Sequence, residues 1–563
     1  MGLGTESSLH LSALSATQVE NLGILARVWG FLKYHHPAVE SGKLAWDDEL
    51  FRILPAIVAA QNKALAQEAL VHWIDALGPT PLCRRGRAAP SGDLDLMPEI
   101  AWIHDGSLLG PDLRNRLETL YASCPGAQTQ YYVSLTPTVG NARFDHEPAY
   151  PDAVFPDTGF QLLALFRWWN IIQYWYPYRR VAGQDWSAVL TEFVPKVGLA
   201  RDKEAYALAL MELIAKANDT HANLWSSLKL RPPAGPCRMP VTVRFVEDQP
   251  TVVAVSDSGT NAGGSSEERS PRTDGSGLPA AGLQPGDILE SLDGVPVAKL
   301  IADWTPLYAD SNDAARQRDM GNGFTRGACG AAAVQVQRAG RSLSLTVARV
   351  EPGPGEKVSG FHDRPGDTFQ LLSPDVAYLK LSTVRAADVA GYLERAKHTK
   401  GLIVDLRNYP SASMPFTLGP LLVSAATPFA AFTLPDLENP GAFRFSAGPV
   451  IAPGPFRYPG KVVLLVDEVT QSQAEYTAMA LRAAPGALVV GSTTAGADGN
   501  VSEIPLPGGL RTMISGIGVF YPDHRPTQRV GIVPNVVARP TRAGIAAGRD
   551  EVLEAGIRQI VGR

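Results

Sequence analysis

Apolar positions in the first third of the chain recur at three- and four-residue spacing, which predicts helices. One run, through Leu25, Trp29, Tyr34 and Pro37, reappears without a gap as Leu165, Trp169, Tyr174 and Pro177, an offset of 140 (174 − 34). The register holds through Trp46 and Trp186, Leu50 and Leu190, Pro55 and Pro195, and a second helical stretch follows each copy, over 48–77 and 187–217. A repeat of this kind predicts a duplicated helical unit with the aromatic positions as packing anchors, a better reading than a cofactor box. Each first helix should stop at its Tyr-x-x-Pro step.

Between the copies, 80–155 is rich in Pro and Gly, with a strand-like Gln130–Ser134, and reads as a connector packed back on the helices. From 238 the period changes to two, predicting strands over 240–246 and 251–255. Residues 258–278 carry almost no apolar content and predict a mobile loop. Gly286 and Asp287 mark a tight turn, Asp293 and Gly294 a hairpin turn, and strands should follow near 332–337 and 342–350. The last third alternates strands and helices. Its apolar runs Val376–Leu381, Gly401–Leu406, Lys461–Val466 and Gly486–Gly491 are nearly continuous, as in strands buried on both faces of an α/β core.

A chain of 563 residues exceeds one hydrophobic core, so several domains are expected. Net charge is −5 without clustered Lys or Arg, which argues against a nucleic-acid partner. No run of 18 apolar residues occurs, so no membrane-spanning helix is expected. The first twenty residues lack a charged and then apolar leader, leaving a cytoplasmic protein as written or an extracytoplasmic one whose signal was removed. Cys83, Cys124, Cys237 and Cys329 form no CxxC pair, and no structural metal site is expected. Cys83 and Cys124 are either a disulfide or two free thiols. No HExxH, phosphate-loop or dinucleotide fingerprint is present, so no cofactor is expected. The sequence leaves the oligomeric state open.

Ser472 stands where the buried strand Lys461–Val466 hands over to an amphipathic helix. That placement exposes an oxygen and surrounds it with backbone N–H groups and the positive end of a helix dipole. The bland alternative is a helix N-cap, with Glu475 closing an S-x-x-E capping box. His35 and His36 end a helix before Pro37 and read as surface residues.

The order of Asp405-Leu406-Arg407, Ser472 and Glu475, Val490 to Gly496, and Gly531 to Pro534 resembles the C-terminal processing (tail-specific) serine peptidases. The segment from Ala281 to Val297 resembles the central hairpin of a PDZ domain. The resemblance implies a multi-domain α/β protein with N-terminal helical repeats, a PDZ-like β domain and a ClpP/crotonase-like peptidase core. Its layout would be a first repeat over 1–80, a connector over 81–158, and a second repeat over 159–235 carrying His221. A PDZ-like domain over 236–352, a peptidase core over 368–545 and a C-terminal helix over 546–563 complete it.

By the same resemblance Ser472 is the nucleophile of a peptidase acting on peptides or unfolded chains. The backbone N–H groups of Gln473, Ser411 and Ala412 would bind the oxyanion. Many members carry a Lys base where this chain has Ala497, and Asp498 beside it reads as an exposed carboxylate and a weak base. The chain is similar instead to tricorn-type relatives in the segment Asp219-Thr220-His221, which implies His221 as base with Thr220 in support. Gln528 stands where those relatives carry an acid that orients the histidine. His524 is a lesser candidate base. The rival readings are an inactive binding protein on a peptidase scaffold and a hydrolase of small acyl substrates.

Overall fold

A computed structural model of the chain describes residues 7–80, 88–123, 130–255, 282–352 and 364–562. The loop expected over 258–278 and the pair Cys83 and Cys124 lie outside the described residues. Two compact units are present: Met1–Leu228 with Ala430–Gly448 and Asp498–Gln528, and Lys229–Phe429 with Pro449–Ala497 and Arg529–Arg563.

In the first unit both sequence copies fold alike. Helix Ala16–His35 precedes Trp46–Ala59, and helix Thr158–Trp175 precedes Trp186–Gly198. The first helix of each copy ends at the Tyr-x-x-Pro step. Trp29 and Trp46 each donate the indole N–H to the other's carbonyl, at 3.3 and 3.1 Å, and Trp169 and Trp186 do the same at 2.7 and 3.0 Å. A third helix follows each time, Lys63–Ala76 and Lys203–Ala215, capped by Asn62 and Asp202 at the same 140-residue offset (202 − 62). The polar cap, a short side chain accepting from the third backbone N–H, thus repeats along with the aromatic core.

Connector residue Glu147 ties the copies together, pairing with Lys33 of the first and Arg167 of the second; Arg167 also pairs with Asp47 at 2.8 Å. All four side chains are buried, so removing one charge would strand its partners in low dielectric. The strand expected over Gln130–Ser134 is shorter and later, Ser134–Leu135, because Tyr131 stacks on His146 and the Tyr131 N–H donates to Glu40 instead of to a ladder. His35 and His36 are buried, against the surface reading. His35 stacks on Phe31, and His36 caps Pro37–Glu40, its ring accepting from the Ala38 N–H. Burial pushes His36 down to about 4. An antiparallel sheet ordered Leu94–Leu96, Phe443–Ser446, Ala431–Pro435, Gly518–Phe520, and a hairpin of Val501–Leu506 with Leu510–Ser515, complete the unit.

The second unit holds a β module and a parallel sheet. The module orders Arg341–Arg349, Gly330–Arg338, Ile288–Leu292, Gln249–Val255 and Val241–Val246 antiparallel, with helices Val297–Trp304 and Asp313–Phe324 closing its core over Val252, Leu289, Phe324 and Val334. Asp293 and Gly294 turn the expected hairpin, with φ of +49° and +81°, the combination that matches strand twist. Cys237 and Cys329 form a disulfide, a pairing that their 92-residue separation hides from sequence reading. The parallel sheet runs Phe369–Ser373, Val376–Lys380, Gly401–Asp405, Lys461–Val466, Leu488–Gly491, Val536–Val537, parallel after its first, antiparallel pair. The C-terminal helix Glu551–Val561 lays Val552 and Leu553 over Ile403, Val463, Leu465 and Val490. No described helix is long and apolar enough to cross a membrane.

Candidate active site

The candidate residues divide between the units. Ser472, Gln473, Glu475, Ser411 and Ala412 belong to the second, and His221, Thr220 and Gln528 to the first.

In the second unit the strand Lys461–Val466 ends in the turn Asp467–Gln471, and helix Gln473–Arg482 begins directly after Ser472. Asp467 organises the turn by accepting from the Val469 N–H, while Thr470 donates its hydroxyl to the Leu406 carbonyl at 2.8 Å. Arg244 of the β module reaches this turn, donating to Asp467 and Glu468 at 2.9 Å each. Ser472 itself sits at φ +55°, ψ −121°, a conformation that costs a non-glycine residue about 1–3 kcal/mol and persists where surroundings over-determine it.

Those surroundings are visible. The Ser472 N–H donates to the Ala497 carbonyl at 2.8 Å. Glu475, fully buried, accepts from the Thr494 hydroxyl, from the N–H groups of Gly496 (2.8 Å) and Ala497 (3.0 Å), and from the Ser472 N–H (3.3 Å). Burial pushes the Glu475 carboxyl up, and these donors oppose the rise. Glu475 thus does more than close a helix cap: it fastens the 494–497 loop to the serine turn. Ala497 is fully buried, so the position of a lysine base is sealed with a methyl group.

Gln473 opens the helix, where its N–H has no partner inside the helix. The Ser411 N–H donates to the Leu381 carbonyl at 2.9 Å, and the Ser411 hydroxyl donates to Val384 at 2.6 Å. That engagement takes the Ser411 N–H out of the donor set.

In the first unit His221 follows helix Lys203–Ala215 in a buried loop. Its Nδ1 lies 2.9 Å from Ser515 Oγ, which lies 2.9 Å from Asp219 Oδ1. Asp219 also accepts from the Ser515 N–H at 2.7 Å and the His221 N–H at 3.1 Å. A carboxylate can only accept, so the single Ser515 proton points at Asp219, and Ser515 accepts from His221 Nδ1–H. That order fixes the tautomer and leaves the lone pair on Nε2, the arrangement a general base needs. Burial raises the Asp219 pKa, but bonds and charge from His221 and the Ser515 N–H overcome it, and the carboxyl is held below its usual range.

Thr220 is buried beside this group, its carbonyl accepting from Asn223. Gln528 is buried with its amide nitrogen 3.5 Å from the Tyr176 hydroxyl. The bond to Nδ1 therefore comes from Ser515 backed by Asp219. Asp219 was in plain view in the Asp-Thr-His segment, whereas Ser515, 294 residues from His221, had no signal. Asp498 is buried, not exposed, and accepts from the Gly499 N–H. His524 stacks on Phe445 near the surface, 3.9 Å from Asp93.

Residues 434–538 match the model of peptidase family S41. Over that segment the chain is similar to the serine peptidases of that family. The S41 segment contains Ser472, Glu475 and Gln528; His221 and the 405–412 loop lie outside it. The family resemblance read from the motifs is borne out, and the chain is a serine-type hydrolase. Among solved structures, mature CPAF complexed with lactacystin superimposes with a TM-score of 0.52 at 15% identity, over 71% of this chain and 97% of that one. Mature CPAF alone gives 0.51 at 16% identity, over 71% and 96%. At such identities the likeness speaks to the fold. None of the curated protein sequences compared with the chain matches it.

Proposed function

We propose that this S41 protein is a serine endopeptidase that cleaves peptides or unfolded chains through an acyl-enzyme at Ser472. The observation that carries the reading on the base is the Asp219–Ser515–His221 relay, since it holds the Nδ1 side of the ring against Ser515 and leaves Nε2 as the atom that can exchange a proton. His221 takes the Ser472 hydroxyl proton as the oxygen attacks the scissile carbonyl, and returns it to the leaving amine. A water molecule activated by the same imidazole then hydrolyses the ester. The N–H groups of Gln473 and Ala412 hold the developing oxyanion, helped by the helix dipole. Thr220 and Gln528 support the histidine loop, and Glu475 holds the serine turn. The β module with its Gly286–Asp287 and Asp293–Gly294 turns acts as a PDZ-like holder of an extended chain, added as a strand to a sheet edge.

Cleavage of casein by wild type, Ser472→Ala and His221→Ala tests the reading. Wild-type cleavage lost by several orders of magnitude in both variants is expected. Loss in Ser472→Ala alone would remove His221 as the base, and an inactive wild type would favour a binding protein on a peptidase scaffold. Turnover of small esters without cleavage of casein would favour the acyl hydrolase.

A further inference from the structure

The strand Gly401–Asp405 ends where the 405–412 loop begins, and the side chain that governs this loop is Arg407. It is buried, and its guanidinium is held on two edges. Toward the sheet, Nε and Nη2 donate to Asp405 Oδ1 and Oδ2 at 3.0 and 2.7 Å. Toward the C-terminal helix, Nη1 and Nη2 donate to Asp550 Oδ1 and Oδ2 at 2.8 Å each. The Arg407 N–H donates to Asp405 Oδ1 at 3.0 Å, and the Tyr378 hydroxyl donates to Asp405 Oδ2 at 3.0 Å.

Two planar, paired contacts on one guanidinium fix its plane as well as its place. The residue between them, Leu406, donates its N–H to Leu465 and accepts the Thr470 hydroxyl. One short stretch of backbone therefore sets both the start of the 405–412 loop and the turn that leads to Ser472. Asp550 also caps the C-terminal helix, its Oδ1 accepting from the Leu553 N–H at 3.0 Å.

We infer that Asp550 is a positioning residue: through Arg407, the N-cap of the C-terminal helix holds the 405–412 loop at the setting in which its backbone can stabilise the oxyanion. This deepens the proposed function and rests on its reading of Ala412 as a donor. A simple structural staple would make the same bonds. The two roles part in what they predict, because a staple changes how much enzyme is folded, whereas a positioning residue changes turnover per folded active site.

The test compares wild type, Asp550→Ser, Asp550→Glu, Arg407→Lys and Ser472→Ala on a fluorogenic peptide, with active sites counted by a fluorophosphonate. Serine keeps a capping oxygen but drops the paired contact to Arg407. The expected result for Asp550→Ser is kcat per active site lower by about 10–100-fold with KM within about twofold, the scale of a misplaced oxyanion donor. A peptide aldehyde, which mimics the tetrahedral species, should lose affinity in step, while a product peptide binds as before. Asp550→Glu should restore most of the loss. Arg407→Lys, which keeps the charge but not the fork, should behave like Asp550→Ser and serves if that variant does not fold. Turnover per active site within twofold of wild type in Asp550→Ser or Arg407→Lys overturns the inference. Equal turnover by wild type and Ser472→Ala would instead remove the peptidase reading on which it rests.

Discussion

Replacing Asp219 by Asn changes one atom of a fully buried side chain that accepts three hydrogen bonds, from the His221 N–H, the Ser515 N–H and the Ser515 hydroxyl. What is lost is the negative charge behind the imidazole. Asp219 Oδ1 lies 3.7 Å from His221 Nδ1, and at an effective dielectric of about 20 a unit pair at that separation is worth roughly 4–5 kcal/mol. If His221 becomes an imidazolium in the transition state, that charge is met only then. Its loss falls on kcat, by about a thousandfold at roughly 1.4 kcal/mol per decade. The amide also sets an N–H against a buried donor, a stability cost of about 1–3 kcal/mol. Kinetics must therefore be read below the variant's melting temperature and normalised to titrated active sites. The expected result is a kcat reduced by about three decades with KM little changed. A folded Asp219→Asn enzyme within tenfold of wild type would refute the relay as the source of the base.

Three further outcomes follow from separate features. Cys237→Ser with Cys329→Ser opens a 92-residue loop and should lower unfolding stability by about 2–4 kcal/mol, read from denaturant melts, with dithiothreitol reproducing the loss in wild type alone. Gly491→Ala should cripple folding, since φ there is +141° and an added Cβ would lie 1.8 Å from the Val466 carbonyl oxygen; soluble protein with an unchanged melting temperature would contradict this. Asp310 is buried with neither carboxyl oxygen hydrogen-bonded among the described residues, and burial, then the charge of Asp319, push it up to about 7 against the opposing Arg318, Arg231 and Arg316. A raised carboxyl contributes stability that is full below the unfolded value near 4 and is lost as pH rises through 7. Asp310→Asn should therefore melt progressively higher than wild type as pH rises from about 4 to about 7, and a constant difference across that window would contradict the burial argument.

What could be read in advance was whatever local pattern dictates. The runs Val376–Leu381, Gly401–Leu406 and Lys461–Val466 are apolar on both faces and became the centre of the parallel sheet. The helical repeat was legible because Trp29, Trp46, Trp169 and Trp186 keep one register, and the Asp293–Gly294 turn because its backbone demands those residue types. Ser472 was legible because a strand hands over to a helix there. What stayed hidden depends on distant partners. Ser515 meets Asp219 from the far end of the Val501–Ser515 hairpin, and Cys237 finds Cys329 across most of the β module. The Ser411 N–H is taken by Leu381, which directly follows the neighbouring strand Val376–Lys380. His35, His36 and Asp498 carry polar side chains whose burial no local pattern announces, since their neighbours are supplied by other segments.

The central claim is that Ser472 is the activated nucleophile. Treatment of the folded protein with a fluorophosphonate, followed by intact mass and peptide mapping, tests it most directly. The account predicts one adduct per chain, on Ser472, absent in Ser472→Ala and strongly slowed in His221→Ala. An unlabelled wild type, or an adduct mapping to any other serine, would contradict it.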